Sequence, residues 1–360
     1  MKLTESLTRR VHAMWQRKGL GSALLMPLAW LTGAVVACRM RRHRAHCPDA
    51  TPLPVVVVGN VVVGGTGKTP VVIALARALR DKGWRPGIVS RGYGAAAGRE
   101  PRTGRGELDP ALFGDEPALI ARETMAPVAV HPRRLLALQA LRKAFPEIDV
   151  VLSDDGLQHL ALPRDLEIVV QDARGVGNGR LLPAGPLREP AARLHEVDVI
   201  VTHLAPGQPA PAPAAGRIEH VDMRLQPVAA VHLSSGQRLE WAQWLARHAG
   251  RPMAAVAAIG QPDRFFAMLR ACGAEPGAAV ALPDHYDYRC SPFTGLDQEV
   301  ILVTPKDAVK CARLDDARVW SVQAEPVFSD AGWLDRLEAR LRGLAGKKTA
   351  GGITLDTSAT

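Results

Sequence analysis

Two compact clusters and several scattered ones in this 360-residue chain have the residue types and spacing to move phosphate. The first is GGTGKT: Gly64, Gly65, Thr66, Gly67, Lys68 and Thr69, set between the apolar run VVVV at 55–58 and a helix-compatible stretch. Glycines let backbone amides turn inward onto an anion, Lys68 can reach the β and γ phosphates of a nucleotide, and Thr69 offers a hydroxyl to a divalent cation at a helix N-terminus. The second cluster is EIDVVLSDDGLQH, an apolar strand ending on Asp154 and Asp155 and followed by His159. An acidic strand end beside a phosphate-loop strand is where the nucleotide's magnesium is held; the alternative is a turn whose aspartates cap a helix. His159 either touches substrate or orients the aspartate pair. SRGYG (90–94), GDEP (114–117, with Asp115 and Glu116), HPRR (131–134), GNGRLLPAGPLREP (177–190, with Arg188 and Glu189) and PDHYDY (283–288, with His285) are scattered along the rest of the chain. Singly, each reads as a turn or a solvated charge. Together with the loop they supply carboxylates, a histidine and arginines, the inventory for placing two phosphates and taking a proton from a hydroxyl.

The loop departs from the full phosphate-loop pattern at Val62, where that pattern has glycine six residues before the lysine. Pro70 after Thr69 is compatible with a first helical turn, where a missing N–H breaks no intrahelical bond. Partitioning ATPases share the GG-x-GKT core but characteristically carry a lysine just before the first glycine. Here that position is Val63.

These clusters need a scaffold, and the chain alternates short apolar runs with helical periodicity, the signature of an α/β protein with a largely parallel sheet. Strands are expected at 55–58, 87–90, 128–130, 149–153, 167–171 and 198–202, and a helix over Pro70 to Lys82 that stops at Gly83. APGQPAPAPAAG, at 205–216, cannot form a central strand and reads as a linker. Further strands near 254–259, 278–282, 299–303 and 318–322 indicate a second alternating region. The expected organisation is an N-terminal segment 1–45, a phosphate-loop domain 46–204, the linker, a second, smaller α/β domain 217–345, and a disordered tail 346–360.

Composition, 47% apolar and 22% charged, is that of a folded protein. The net charge of +9 is concentrated: residues 1–50 carry nine Lys or Arg against Glu5 and Asp49. The rest of the chain is therefore nearly balanced, and with 4% aromatic residues no nucleic-acid partner is expected. Between the basic clusters, GLGSALLMPLAWLTGAVVAC (19–38) holds no charge. Its length suits a bilayer core, so a spanning helix, a segment lying in the interface and a cleavable signal compete. A cleaved signal conflicts with a downstream nucleotide site, which needs the cytosol. Pro27 and the glycines weaken a straight spanning helix. Membrane attachment is the expectation. The five cysteines form no CxxC pair or metal-ligand spacing.

Taken together, GNVVVGGTGKTP, SRGYG, GDEP, SDDGLQH, GNGRLLPAGPLREP, PDHY and TPKDAVK, in this order behind a basic apolar N-terminus, resemble the tetraacyldisaccharide 4'-kinase family over about residues 10–340. Pro305 stands where that family usually has Glu. The resemblance implies transfer of the γ-phosphate of ATP to the 4'-hydroxyl of an acylated glucosamine disaccharide 1-phosphate, with Mg²⁺, at the cytosolic face of the bacterial inner membrane and without an obligate protein partner. It also implies roles for individual residues. Gly64 to Thr69 bind the nucleotide, and Thr69, Asp154, Asp155 and Glu116 stand on the metal side. Asp115 is the general base with His285 as its partner, Lys68 takes part in catalysis, and His159, Arg188 and Glu189 are placed near substrate. The competing reading is a membrane-anchored phosphate-loop ATPase switch of the partitioning type.

Overall fold

The computed structural model describes residues 11–45, 51–94, 98, 100–210, 218–284 and 286–350. The strands are β1 (Val55–Gly59), β2 (Pro86–Ser90), β3 (Arg102–Gly104), β4 (Val128–Val130), β5 (Val150–Asp154), β6 (Leu166–Asp172), β7 (Val199–His203), β8 (Glu219–His232), β9 (Arg238–Glu240), β10 (Met253–Ala257), β11 (Ala278–Ala281), β12 (Val300–Val303) and β13 (Val319–Phe328). They form one thirteen-stranded sheet in the order β11-β10-β12-β13-β8-β7-β6-β1-β5-β2-β4-β3, with β9 paired to β8.

Every residue of β1 is buried, which is why an unbroken valine run occupies it: a strand covered on both faces has no polar side to alternate with. β5 and β6 flank β1 in parallel, and β2 and β7 lie outside them, also in parallel. Parallel neighbours put all their carboxyl ends on one edge, where ligands bind in open α/β sheets. The turn after β1, Ser90, Asp154, Asp172 and His203 therefore open onto the same rim.

The two regions expected as domains share this sheet through β8. Its first residues, Glu219–Met223, run parallel to β7, while Met223–His232 pair antiparallel with β13, with a register shift between Gln323 and Ala324. Beyond β13, the strands β12, β10 and β11 complete a second wing with its own cores around Trp244, Phe266 and Leu269 and around Tyr288 and Phe293. Residues 211–217, most of the expected linker, lie outside the described residues.

Two segments differ from their plain reading in the sequence. The apolar N-terminal stretch is broken at Leu25 into two helices, Leu20–Leu24 and Met26–Ala45. Among the described residues no helix is long and apolar enough to cross a membrane. At the other end, the helix Trp333–Ala350 runs five residues into the segment expected to be a tail; residues 351–360 lie outside the described residues. This last helix also turns away from the second wing. Its Trp333, Leu337 and Leu341 share a core with Val71, Leu75 and Leu79 of the helix Lys68–Asp81 that follows the phosphate loop. Lys82 pairs with Asp335 at its rim, and the Trp84 indole donates to Glu338.

The last helix thus completes the core beneath the phosphate loop. Replacing the fully buried Leu341 by Ala is expected to lower the unfolding free energy by about 2–5 kcal/mol, read from chemical denaturation; a loss below about 0.5 kcal/mol, the scatter of surface substitutions, would mean the helix is not part of that core.

Candidate active site

The phosphate loop is shaped by close approach. Gly67 caps the helix Lys68–Asp81 with φ 95°, and a Cβ there would lie 2.6 Å from Nδ1 of His203 at the end of β7. Both the left-handed backbone and the missing space demand glycine. The buried Asn60 amide donates to the carbonyl of Gly64 at 3.2 Å, fixing the loop's first turn. Val62 needs no glycine, because the chain is extended there and forms an isolated bridge with Leu187. Val63 N donates to Pro186 O at 2.9 Å and Arg188 N to Val61 O at 2.7 Å. GNGRLLPAGPLREP therefore forms the outer wall of the phosphate loop.

β5 ends on Asp154, which is 1% exposed and receives the Ser90 hydroxyl at 3.1 Å, while its Oδ1 has no hydrogen-bond partner. Burial, with the carboxylates of Glu116 and Asp155 nearby, pushes this group up to about 7. Asp155 has left-handed backbone, φ 48°, a conformation aspartate tolerates better than most residues. Its carboxylate meets Lys68 at 3.5 Å and Arg188 at 3.3 Å. Burial raises Asp155, but Lys68, Arg188 and Arg134 outweigh it and hold the group below its ordinary value. Arg134, the last residue of HPRR, is buried beneath the pair; burial draws it down to about 10. The adjacent aspartates thus differ in kind: one is ion-paired, the other lacks compensation.

Facing them, GDEP opens the helix Asp115–Thr124. Asp115 meets Lys310 at 2.7 Å, and Glu116 meets Lys306 at 3.5 Å. The same two lysines reach PDHYDY: Lys306 lies 3.5 Å from Asp284, and Lys310 donates to Tyr286 O at 3.2 Å. TPKDAVK therefore staples GDEP to PDHYDY. Pro305 takes the first position of the helix Pro305–Cys311, where it is tolerated. Asp307 of the same run is buried and accepts from Thr304 Oγ1 at 2.6 Å and from Ala258 N, which anchors the run to β10.

Known proteins resemble the chain over most of its length. The family model described as tetraacyldisaccharide-1-P 4'-kinase matches residues 21–342. The chain belongs to this kinase family. A curated tetraacyldisaccharide 4'-kinase of Bordetella petrii is 55% identical over 347 residues, covering 95% of this chain and 98% of that protein. One from Herminiimonas arsenicoxydans is 43% identical over 341 residues, covering 91% and 94%. A solved structure from Aquifex aeolicus, described as the "apo" form of LpxK in complex with ATP, superposes with a TM-score of 0.74 at 26% identity, covering 90% of this chain and 99% of that one.

In this 4'-kinase fold one cavity of about 1070 Å³ is lined by Gly64 to Thr69, Glu116, Asp154, Asp155 and Arg188. Asp115 is not among the lining residues; its neighbour Glu116 is, and Asp115 is ion-paired with Lys310. His159 is not among the lining residues; burial, then Arg134 and Arg91, draw its imidazole down to about 4, so it is neutral near pH 7. Glu189 is 3% exposed and lies behind Arg188, within 3.4 Å of Arg193, which also holds Glu167. Its position is that of a support for the wall. His285 lies outside the described residues, but its neighbours Asp284 and Tyr286 are the ones held by Lys306 and Lys310. Sequence reasoning passed over Lys306, Lys310, His203, Gly260 and Arg264. The first two stand in TPKDAVK, whose lysine spacing of one helical turn was a usable signal; His203, ending an apolar strand on the rim, was another.

His203 is largely buried between the loop and the second wing. Burial and the Arg264 guanidinium draw it down to about 4 from 6.5. Between those values the unfolded chain takes up a proton that the folded protein refuses, so this contribution is present above pH 6.5 and is lost as pH falls towards 4. It amounts to up to roughly 3 kcal/mol. His203→Gln is expected to flatten the acid side of the stability–pH curve relative to the parent, measured by denaturation across this window; parallel curves would refute the assignment.

Proposed function

We propose that the chain transfers the γ-phosphate of ATP to the 4'-hydroxyl of an acylated glucosamine disaccharide 1-phosphate at a membrane surface, with Asp115 taking the hydroxyl proton. The observation that carries this reading is the opposition, across one cavity, of a phosphate loop and a carboxylate pair on one side and the GDEP helix on the other. A sugar hydroxyl is too weak an acid to ionise near neutral pH, so a carboxylate positioned to accept its proton during attack lowers the barrier. Lys310 orients Asp115 and ties it to the segment carrying His285, its expected partner. Lys68 bridges from the loop to Asp155 and is placed to neutralise charge on the transferred group.

The residues fit a magnesium ion bound with the nucleotide. Asp154 has a buried oxygen without a hydrogen-bond partner, lies against two other carboxylates, and faces the cavity shared with Thr69. No group of three or more ligating side chains forms a closed cage among the described residues; magnesium commonly uses one or two carboxylates together with substrate phosphates and water. When bound, the ion supplies charge neutralisation at the phosphates. Asp154 and Thr69 are its proposed ligands, with Asp155 and Glu116 beside them.

The N-terminal helices give the acceptor a reason to be lipid. Leu20, Leu24, Leu28, Trp30, Leu31 and Val35 are exposed, whereas Ser22 and Ala29 face inward. Exposed Arg39, Arg41 and Arg42 follow. Exposed apolar side chains in the first half of the longer helix and cations in its second half suit contact with an anionic leaflet. Such a surface fits the cytosolic face of the bacterial inner membrane.

Asp115→Asn is expected to lower lipid-kinase turnover about 10²–10⁴-fold while leaving ATP affinity nearly unchanged; near-parental turnover would sink the role. ATP consumption should require the acylated disaccharide, whereas equal consumption in water would favour the switch reading. Leu24→Glu with Leu31→Glu is expected to abolish co-sedimentation with anionic phospholipid vesicles and leave the thermal midpoint intact. Undiminished vesicle binding would place the contact elsewhere.

A further inference from the structure

The second wing reaches the phosphate loop at a point that the catalytic arrangement above leaves unused. Arg264 lies in the first turn of the helix Pro262–Ala271, on the second wing, and lines the cavity. Its Nη2 donates to Asp172 at 2.8 Å, and its Nη1 lies 3.5 Å from Nδ1 of His203. That nitrogen is the atom a Cβ on Gly67 would strike. Asp172, whose side chain is fully buried at the end of β6, holds a second guanidinium as well: Arg174 donates to both its oxygens, at 2.6 Å through Nη2 and 3.0 Å through Nε. The Arg174 guanidinium lies 3.6 Å from the Cβ position of Gly64. Beside these charges the two backbones touch. A Cβ on Gly65 would be 3.9 Å from the Cα of Gly260, and a Cβ on Gly260 only 3.3 Å from the amide nitrogen of Gly65.

One carboxylate thus holds two guanidiniums, and the Asp284 carboxylate, 3.4 Å from the Cβ position of Gly260, is itself paired with Lys306, so a positive charge remains beside Gly64 and Gly67, at the start of a helix whose free amides already favour an anion. A surplus cation held in a partly buried site is costly unless an anion completes it. β6 and β7, whose ends carry Asp172 and His203, lie on the side of β1 opposite β5 and its Asp154. The surplus charge is therefore on the far side of the loop from the carboxylate pair.

We propose that Arg264 is a nucleotide-phosphate-binding residue supplied by the second wing, with Asp172 as the positioning residue that aims it at the phosphate loop. The proposal rests on ATP being the donor, but not on the identity of the acceptor. The second wing then contributes to the donor side of the reaction as well as carrying the PDHYDY segment. Arg264 serves as a charge-assisted hydrogen-bond donor to a phosphate oxygen, while Arg174 braces the loop's first turn.

The test is direct binding without acceptor: titration of the full chain with ATP and, separately, with adenosine, for the parent, Arg264→Ala, Arg264→Lys and Asp172→Asn. Arg264→Ala is expected to weaken ATP binding about ten- to a hundredfold, the range for losing one hydrogen bond to a charged group, with adenosine affinity unchanged. Arg264→Lys should recover part of the loss. Asp172→Asn should give an intermediate loss for ATP and none for adenosine. The ratio of ATP to adenosine affinity is the deciding quantity, because a mere loss of packing weakens both ligands alike; Arg264→Gln, close in volume, replaces the alanine variant if that does not fold. Unchanged ATP affinity, or equal losses for ATP and adenosine, overturns the proposal. Since no acceptor is present, failure to phosphorylate a disaccharide leaves this result untouched.

Discussion

A buried carboxylate must find a cation or a proton, and most of this molecule's architecture follows from how that demand is met on one rim of the sheet. Asp172 finds Arg174 and Arg264, the partly buried Asp155 finds Lys68 with Arg188, and the partly buried Asp115 finds Lys310; at the open end of the rim the more exposed Glu116 and Asp284 share Lys306. Asp154 has a single hydroxyl donor and an oxygen with none. Such a site is a standing preference for a cation. The pairs around it set which elements meet, since nearly all of them join segments far apart in the chain.

Two consequences follow for the way the halves of the protein cooperate. Lys306, Lys310 and Arg264 all belong to the second wing, and each is paired with a carboxylate of the first. Ion pairs exposed to water contribute little, but partly buried ones with defined partners fix relative position. The wings are also one sheet through β8, so their relation is set by backbone pairing at one side of the cleft and by charge at the other. The N-terminal helices join the same frame: Asn178 donates to Ser22 Oγ and to Ala184 O, both at 3.0 Å, and the wall carrying Asn178 continues to Val63 and Arg188. The exposed apolar face and the phosphate loop are thereby two sides of one packed layer.

The strands were legible where the physics is local. Val55–Val58, Val150–Leu152 and Val199–Val201 lie buried on both faces and read as unbroken apolar runs. β8 escaped notice because it is only partly covered and Pro227 interrupts it, although its partner pairing with β13 tolerates the missing donor. The loop and the aspartate pair were legible because phosphate chemistry restricts residue type and spacing at once; GDEP read as a turn until the family resemblance gave it a role. Glu189 was misleading for the opposite reason: an Arg-Glu pair in a conspicuous motif looks functional, but only the fold shows that Arg188 faces the cavity while Glu189 turns to Arg193. The lysines of TPKDAVK and Arg264 acquire meaning from carboxylates of the first wing, Glu116, Asp115 and Asp172, and beyond the one-turn lysine spacing no local pattern carries that information.

The helix Trp333–Ala350 bears on a different matter, the order in which the chain can fold during synthesis. The apolar face of Val71, Leu75 and Leu79 is covered by Trp333, Leu337 and Leu341, which the ribosome makes much later. Until this helix emerges, the layer beneath the phosphate loop is open to water, so the nascent first wing carries a sticky, unfinished face while the second wing is being made. Closing it is a contact of very long sequence separation, the kind that slows folding. A chain cut short ahead of this helix would retain every residue assigned to chemistry and still lack a sealed floor under its nucleotide site.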